Sequence, residues 1–284
     1  MIVSVPASSS NLGPGFDCFG IAWKCFNTIE FSLSDKTEII GCPVEYMGED
    51  NLCYLGFKKA LSEKGKTPLP VKITFRECEI PIARGLGSSA SLIVAGIMGA
   101  SELYGLGLSD EEVLHIATAM EGHPDNATPS IYGGFVAAVY DGEDVSVAPF
   151  DVSPYWSFTV FIPDYELKTA MARSVLPDSY SRKDAVQNIG CTAMLIKAME
   201  SGDGELLKAA LRDRIHEPYR KKLIPEYEQV EKLVMENGAD GLCISGAGST
   251  MLCFSNAETQ EKIIEAGKKA FPGWIVRGME LYTR

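Results

Sequence analysis

The sequence predicts an α+β fold divided into two domains, residues 1–150 and 151–284. Three observations support this prediction. The chain has 284 residues, a length that suits one large domain or two modest ones. Strand-like and helix-like segments follow one another throughout, and in the second half they come in the order of a split β-α-β unit. The residue pattern of the sequence changes around Ser146–Pro154, where we place the boundary between the domains.

The elements of the first domain are predicted from residue alternation, helical spacing and turn residues. Ile2–Val5 and Thr28–Leu33 alternate like strands, and Ser8–Asp17 between them is rich in turn residues. Apolar residues recur at helical spacing over Asn51–Lys64, and Val71–Phe75 is a predicted strand.

A capping box at Ser109–Glu112 predicts a helix that ends near Glu121. Ile131–Tyr140 is a predicted strand, followed by a turn at Asp141–Gly142. The elements predicted for the second domain are a strand at Trp156–Ile162, helices at 181–200, 204–213 and 226–236, strands at Gly241–Ile244 and Met251–Phe254, a helix at 257–270 and a strand at Trp274–Arg277.

Composition and the first residues argue against several classes of partner, site and targeting segment. The net charge of −12 argues against binding to nucleic acid or to an anionic membrane, because both need a basic surface. The eight cysteines form no Cys-x-x-Cys pair and there are three histidines, so no zinc site is expected. The first residues lack a basic segment followed by an apolar one, so no signal peptide is expected either. The sequence therefore predicts a cytoplasmic protein with free thiols.

The segment Pro81–Ser91 is a glycine-rich turn that leads into a predicted helix. Gly85 and Gly87 remove side chains where another group must approach the backbone closely. Ser88 and Ser89 begin the helix, whose free N–H groups and partial positive charge favour an anion such as phosphate. The segment has neither the lysine of a Walker loop nor the third glycine and later acid of a dinucleotide fingerprint.

Four segments together resemble the GHMP kinase superfamily, and within it the homoserine kinase family most closely. They are Ala7–Asp17, Pro81–Ser91, His123–Asn126 followed by Gly133–Gly134, and Ser245–Thr250. The resemblance implies the two-domain GHMP kinase fold, with an N-terminal half like domain 2 of ribosomal protein S5 and a ferredoxin-like C-terminal half. It also implies an ATP-dependent phosphotransferase that phosphorylates the side-chain hydroxyl of L-homoserine in threonine biosynthesis.

The same resemblance assigns residues to ATP and to Mg²⁺. The residues expected to contact the nucleotide are Pro81, Ile82, Ala83, Arg84, Gly85, Leu86, Gly87, Ser88, Ser89, Ala90 and Ser91. A hydroxyl of Ser88 or Ser89, together with the carboxylate of Glu121, is expected to hold Mg²⁺, which takes few protein oxygens. Near the C-terminus, Ala247 and Ser249 stand where the family more usually has serine and proline. We therefore expect small size and backbone groups to matter there.

The acceptor L-homoserine is a zwitterion, so its pocket needs an anion and a cation. Asp17 is expected to bind the ammonium, and Asn11 the same end or the hydroxyl. Arg173 and Arg220 resemble the arginines that contact substrate in the family, and a guanidinium matches a carboxylate. The other residues predicted to line this pocket are His123, Asn126 and Gly246.

The predicted catalytic residues are Asn126, His123, Arg173 and Ser88. Asparagine cannot take up a proton, so the hypothesis is catalysis without a side-chain base, by positioning, Mg²⁺ and loop dipoles. Asp125 is the alternative base. Three other readings stay open: a kinase for another small alcohol such as mevalonate, a nucleotide-binding regulator without activity, and an RNA-binding protein, which the acidic charge disfavours. The resemblance is compatible with a homodimer, which these residues do not specify.

Overall fold

Two β-sheets and ten α-helices make up the protein, whose structure is a computed structural model that describes residues 1–284. The first sheet contains β1 (Ile2–Ser10), β2 (Phe19–Leu33), β3 (Glu38–Ile40), β4 (Val71–Cys78), β5 (Phe135–Tyr140) and β6 (Val145–Phe150). The second contains β7 (Ser157–Ile162), β8 (Gly241–Ile244), β9 (Met251–Ser255) and β10 (Ile275–Met279). The helices are α1 (Leu52–Glu63), α2 (Ser88–Tyr104), α3 (Asp110–Glu121), α4 (Ala127–Tyr132), α5 (Thr169–Ser174), α6 (Arg182–Ser201), α7 (Gly204–Ala210), α8 (Glu217–Arg220), α9 (Tyr227–Glu236) and α10 (Ala257–Ala270).

The long strand β2 organises the first sheet. One of its edges pairs antiparallel with β1, from Ile2↔Glu30 to Ser10↔Gly20. Its other edge pairs with β5 near its start and with β4 over its second half, and the sheet continues through β6 and β3. Only β3 and β4 pair parallel in this sheet. The second sheet has the order β10-β7-β9-β8 and is antiparallel throughout.

The two sheets share a core. One cluster of buried residues joins Phe19 and Trp23 of β2 to Trp156 and Phe254 beside the second sheet. Large apolar side chains in such a cluster are worth roughly 1.5–3 kcal/mol each, so this contact fixes how the sheets sit against each other. The predicted domain boundary falls in the link between β6 and β7. It stays a prediction, because the C-terminal segment returns to the first sheet through the Trp23↔Leu281 bridge.

Most predicted elements have counterparts in the structure, and the capping box of α3 is confirmed at Ser109 and Glu112. The strand predicted at Ile131–Tyr140 is wrong at its start. Ile131 is 2% exposed and belongs to the short helix α4, where its side chain joins the core of the first sheet. Gly133 and Gly134, at φ of 73° and 68°, end that helix and turn the chain into β5.

Close packing along its length fixes the position of helix α2, which begins at the predicted nucleotide site. A Cβ at Gly96 would lie 1.9 Å from the Cys53 carbonyl oxygen, and one at Gly99 would lie 2.6 Å from the Phe31 ring. Only glycine lets the helix approach α1 and β2 this closely. None of the helices combines the length and the apolar character that a bilayer crossing requires.

Candidate active site

The glycine-rich turn before α2 is held in one conformation by its neighbours. Gly85 and Gly87 have φ of 78° and 71°, the left-handed region that favours glycine. A Cβ at Gly87 would lie 2.1 Å from the Ser8 Oγ atom, and one at Gly85 would lie 2.2 Å from the Ser245 carbonyl oxygen. The first N–H groups of α2, from residue 88 to residue 90, have no protein acceptor. They are therefore free to bind an anion.

The second half of the chain supports this turn from the other side. The Leu167 N–H donates to the Ala83 carbonyl at 3.0 Å, and the Thr250 N–H donates to the Arg84 carbonyl at 3.1 Å. The Ser245 hydroxyl donates to the Gly85 carbonyl at 2.6 Å. The turn is thus clamped between the two halves, and its orientation depends on both.

The Arg84 guanidinium is held by backbone carbonyls of the second half of the chain. Its Nε and Nη2 atoms donate to the carbonyls of Pro163 and Asp164, at 3.0 and 2.8 Å. Three residues of the predicted nucleotide segment do not line the cavity described below. They are Pro81, Leu86 and Ser91, and the last two are completely buried in the interior. The other residues of the segment, 82–85 and 87–90, line the cavity.

A hydroxyl and a carboxylate meet beside the start of α2. The Ser89 hydroxyl donates to the carboxylate of Glu121, at the last position of α3. Burial raises the pKa of Glu121, and this effect outweighs the hydrogen bond from Ser89 and the charge of His123, which lower it. A desolvated carboxylate with one hydroxyl partner suits a cation, and both donors are the oxygens that Mg²⁺ prefers.

Asp17 lies beside His123 and Asp125, with ligand atoms of the three within 4.8 Å of one another, in a conformation that few residues adopt. Its φ is 54°, and that of Asn11 is 57°; aspartate and asparagine tolerate this region better than most residues. The Asp17 N–H donates to the Asn11 side-chain oxygen at 2.8 Å, which closes the turn. The Asp17 carboxylate accepts two hydrogen bonds from Arg173, at 2.7 and 3.0 Å. Both side chains remain about a third exposed.

Arg220 is a buried cation without a carboxylate partner. It is 1% exposed, and its guanidinium donates only to two carbonyls, those of Ala172 at 3.2 Å and Gly246 at 3.1 Å. Burial, together with the neighbouring charge of Arg173, lowers the pKa of Arg220 to about 10. It therefore stays charged at neutral pH, and the desolvated charge favours an anion in the adjoining cavity.

The Asn126 side chain is fixed at both of its polar atoms. Its Oδ1 accepts from the Ser8 hydroxyl at 3.0 Å, and its Nδ2 donates to the Ser10 hydroxyl at 2.9 Å. Its Oδ1 would also lie 3.2 Å from a Cβ at Gly87, so the amide sits directly against the glycine-rich turn. Asn126 is thus held beside the predicted phosphate site in one orientation.

His123 and Asp125, close to Asn126 in sequence, form a hydrogen-bonded pair with Nδ1 and Oδ1 2.6 Å apart. Burial lowers the pKa of His123, but the hydrogen bond and charge of Asp125 outweigh it and the pKa is raised. Burial likewise raises the pKa of Asp125, but the contact with His123 outweighs it and the pKa is lowered. Asp125 is 1% exposed and does not line the cavity, whereas His123 does.

One cavity of about 450 Å³ connects these groups. The predicted site residues in its wall, besides the glycine-rich turn, are Asn11, Glu121, His123, Asn126, Arg173, Arg220 and Gly246. Its wall also contains apolar residues from other segments, Cys42, Pro43, Tyr46, Leu52 and Phe75. Asp17 is joined to this wall through Arg173. The structure thus brings the predicted phosphate and acceptor residues to one cavity, whose wall is partly apolar.

Replacing Asp125 by asparagine should lower the pKa of His123 and leave turnover within about tenfold. The pair of His123 and Asp125 stabilises the fold at pH values between the lowered pKa of Asp125 and the raised pKa of His123. Without Asp125, burial is the main influence on the pKa of His123 and lowers it. The protein has three histidines, so an NMR titration would resolve the change. Turnover that collapses with the thermal midpoint preserved would instead make Asp125 the base.

Comparisons with known proteins agree with this geometry. The family models for the GHMP kinase N-terminal and C-terminal domains match residues 51–134 and 195–273. The homoserine kinase of Caldicellulosiruptor bescii is 45% identical over 88% of this chain and 82% of the relative. That of a Synechococcus species is 43% identical over 93% of this chain and 88% of the relative. The chain belongs to the homoserine kinase family of GHMP kinases.

Solved structures of homoserine kinases share the whole architecture. The enzyme from Cytophaga hutchinsonii superposes with a TM-score of 0.89 at 29% identity, covering 100% of this chain and 95% of that one. The Methanococcus jannaschii mevalonate kinase, at 17% identity and a TM-score of 0.76, shares the fold alone. The predicted two-domain GHMP kinase fold is confirmed by these matches.

The sequence did not single out several residues of this candidate site. Ser8 and Ser10 were expected in a turn, but they lie in β1 and orient Asn126. The Phe16 ring lies against both predicted arginines. Lys168 lines the cavity next to α5. Serines are polar, so nothing in the sequence indicated that Ser8 and Ser10 are buried. The position of Phe16 next to Asp17, by contrast, could have indicated that Phe16 belongs to the site.

Proposed function

We propose that this protein transfers the γ-phosphoryl group of ATP to the side-chain hydroxyl of L-homoserine and forms O-phospho-L-homoserine. The observation that carries the proposal is the single cavity that joins a free helix N-terminus to a buried, unpartnered Arg220. The first feature suits a triphosphate and the second suits an amino-acid carboxylate. The homoserine kinase names of the relatives agree with this chemistry.

The zwitterionic acceptor would be held by its two charges. Its carboxylate would approach Arg220 and Arg173, and its ammonium would approach Asp17. Arg173 already contacts the Asp17 carboxylate through both of its Nη atoms. A bound zwitterion would therefore add one charge of each sign to an existing ion pair and satisfy Arg220 as well. This placement leaves the hydroxyl of the acceptor to lie toward Asn126 and the glycine-rich turn.

Phosphoryl transfer needs alignment and charge stabilisation more than covalent help. The hydroxyl oxygen bonds to the γ-phosphorus while the bond from that phosphorus to the β–γ bridging oxygen breaks, and ADP leaves. The free N–H groups at the start of α2 would stabilise the charge on the phosphoryl oxygens. Asn126 would orient the hydroxyl but cannot accept its proton. We propose that the proton passes to the phosphoryl group, without a side-chain base.

Mg²⁺ fits the pair formed by Ser89 and Glu121. The fit rests on the half-buried Glu121 carboxylate, whose pKa is raised by desolvation and whose only hydrogen-bond partner is a hydroxyl. Of the two serines predicted as ligands, Ser89 makes this contact. When bound, the ion would neutralise charge on the β- and γ-phosphates. The apolar wall residues Cys42, Pro43, Tyr46, Leu52 and Phe75 would receive the adenine base.

Two rival functions are weaker. A mevalonate kinase would give the Asp17 carboxylate no ammonium to bind, and the mevalonate kinases that superpose on this chain share only its fold. A regulator without activity would not need the oriented Asn126 or the pair of Ser89 and Glu121. A cytoplasmic location, a homodimer, and the lack of nucleic-acid and membrane partners stay predictions.

A coupled assay of ADP release on L-homoserine, mevalonate and galactose tests the proposal. We expect turnover with L-homoserine alone, and turnover that depends on Mg²⁺. Turnover with mevalonate instead would reassign the acceptor. No ADP release with any of the three acceptors, while ATP still binds, would favour a nucleotide-binding regulator without activity.

Replacing Asp17 by alanine should raise the KM for L-homoserine by roughly 30-fold or more, while ATP affinity is largely kept. A charge-assisted contact to a buried ligand group is worth about 2–5 kcal/mol. Asp35→Ala, at an exposed carboxylate outside the cavity, is the matched control. Calorimetry that finds parent-like homoserine affinity in the Asp17 variant would refute the ammonium assignment.

A further inference from the structure

Phe16 contacts three charged or titratable side chains around the acceptor end of the cavity. The central carbon of the Arg220 guanidinium lies 5.0 Å from the Phe16 ring centroid, and that of Arg173 lies 5.6 Å from it. The His216 ring stacks on Phe16, with centroids 5.4 Å apart and planes 25° from parallel. A guanidinium within about 6 Å of an aromatic centroid is attracted by the electron-rich ring face.

The two guanidiniums have an electrostatic reason to separate. Both carry a positive charge, and the charge of Arg173 is one cause of the lowered pKa of Arg220. Asp17 neutralises Arg173, but Arg220 has only carbonyl acceptors. Contact of both guanidiniums with one aromatic ring offsets part of this repulsion without adding a carboxylate that would compete with the substrate for them.

The position of the ring is fixed by the segment that carries it. His216, which is fully buried, contacts the Gly13 carbonyl through Nε2 at 2.8 Å. The Pro14 carbonyl accepts from Asn188 at 2.9 Å and from Thr192 at 3.2 Å. These contacts come from α6 and the segment before α8, so Phe16 cannot follow the arginines if they move apart.

We propose that the Phe16 ring is a positioning residue that holds Arg173 and Arg220 together as a carboxylate-binding pair, and so sets the preference for acceptors that carry an α-carboxylate. This inference rests on the proposed function, because it specifies how the acceptor pocket recognises L-homoserine. It concerns only the carboxylate end of the substrate. The ammonium is assigned to a different group, the Asp17 carboxylate.

The test compares L-homoserine with 3-aminopropan-1-ol, which has the same ammonium and hydroxyl but no carboxylate. Phe16→Leu keeps an apolar side chain and removes the ring, whereas Phe16→Tyr keeps the ring. We expect Phe16→Leu to weaken L-homoserine binding roughly tenfold, the value of one partly desolvated cation–π contact. Binding of 3-aminopropan-1-ol, and of ATP, should change by less than about twofold. Phe16→Tyr should bind L-homoserine like the parent.

Phe26→Leu is the matched control, because Phe26 is also half-buried and packs on Tyr282 away from the cavity. Phenylalanines with one, two and three ring fluorines at position 16 separate charge from shape, since fluorine weakens the ring's attraction for cations. We expect L-homoserine affinity to fall stepwise along this series. Unchanged affinity along it, or equal weakening of both acceptors in Phe16→Leu, would overturn the inference.

Direct binding by calorimetry keeps this inference separate from the proposed function. A parent protein that binds L-homoserine in preference to 3-aminopropan-1-ol but does not phosphorylate it would overturn the proposed reaction and leave the role of Phe16 standing. A parent protein that phosphorylates both acceptors equally well would retain the kinase activity and remove the carboxylate preference that Phe16 is inferred to set.

Discussion

Arg220→Met is expected to lower kcat/KM for L-homoserine by roughly a hundredfold to a thousandfold, mostly through a higher KM. Losing one partner of a buried, hydrogen-bonded charge pair costs about 2–5 kcal/mol. Arg220 offers such a contact to the acceptor carboxylate, because it is 1% exposed and has no carboxylate partner within the protein. The KM for ATP should not change, since the nucleotide end of the cavity is formed by other elements.

The same substitution should change the free energy of unfolding by only about 1 kcal/mol. Removal of a desolvated charge stabilises the fold, whereas the carbonyls of Ala172 and Gly246 lose their donor at a cost of roughly 1–3 kcal/mol. These effects oppose each other. Arg214→Met, at an exposed arginine outside the cavity, is the control. A normal KM in Arg220→Met, or a loss of activity that merely follows unfolding, would contradict the assignment.

Glu121→Gln is expected to lower kcat by roughly a hundredfold and to raise the Mg²⁺ concentration needed for half-maximal activity. Glutamine keeps the size of the side chain and a hydrogen-bond acceptor for Ser89, but it removes the charge that would hold the ion. Removing one electrostatic contact to the transition state typically costs about 2.7–4 kcal/mol. The KM for L-homoserine should be unaffected, because the two charges of the acceptor are assigned to Asp17 and the arginines and not to Glu121.

Glu102→Gln is the control for this substitution, because Glu102 is exposed on α2 away from the cavity. The Mg²⁺ dependence in parent and variant should also respond differently to pH. The raised pKa of Glu121 means that the parent loses affinity for the ion as pH falls through that value, whereas the glutamine variant does not. A parent and a variant with identical Mg²⁺ curves would remove Glu121 from the metal site.

The parts of the site that the sequence predicted best are those carried by contiguous motifs. Gly85 and Gly87 indicated a close backbone approach, and a Cβ at either would indeed collide with a neighbour. Asp17 was singled out beside Asn11, and the two lie in one turn joined by a hydrogen bond. Such local features follow from backbone geometry, which depends on neighbouring residues.

Features that depend on distant segments could not be predicted in this way. The serines that end β1 are polar and indicated a turn, yet they are buried because β2, Asn126 and the segment after β8 supply their partners. Ile131 and Tyr132 favour strands, but packing against α2 and α3 places them in a helix. The pairing of Asp17 with Arg173 joins residues 156 positions apart, which no local pattern reveals.

The buried cluster shared by the two sheets has a consequence for how products depart. Bending one half away from the other would pull Trp23 and Phe254 out of their common packing and expose both to water. Hinge opening of that kind is too costly to occur in every catalytic cycle. We therefore expect release of ADP and phosphorylated product to need only small local movements of the exposed wall residues, among them Lys168 and Thr169 at the start of α5.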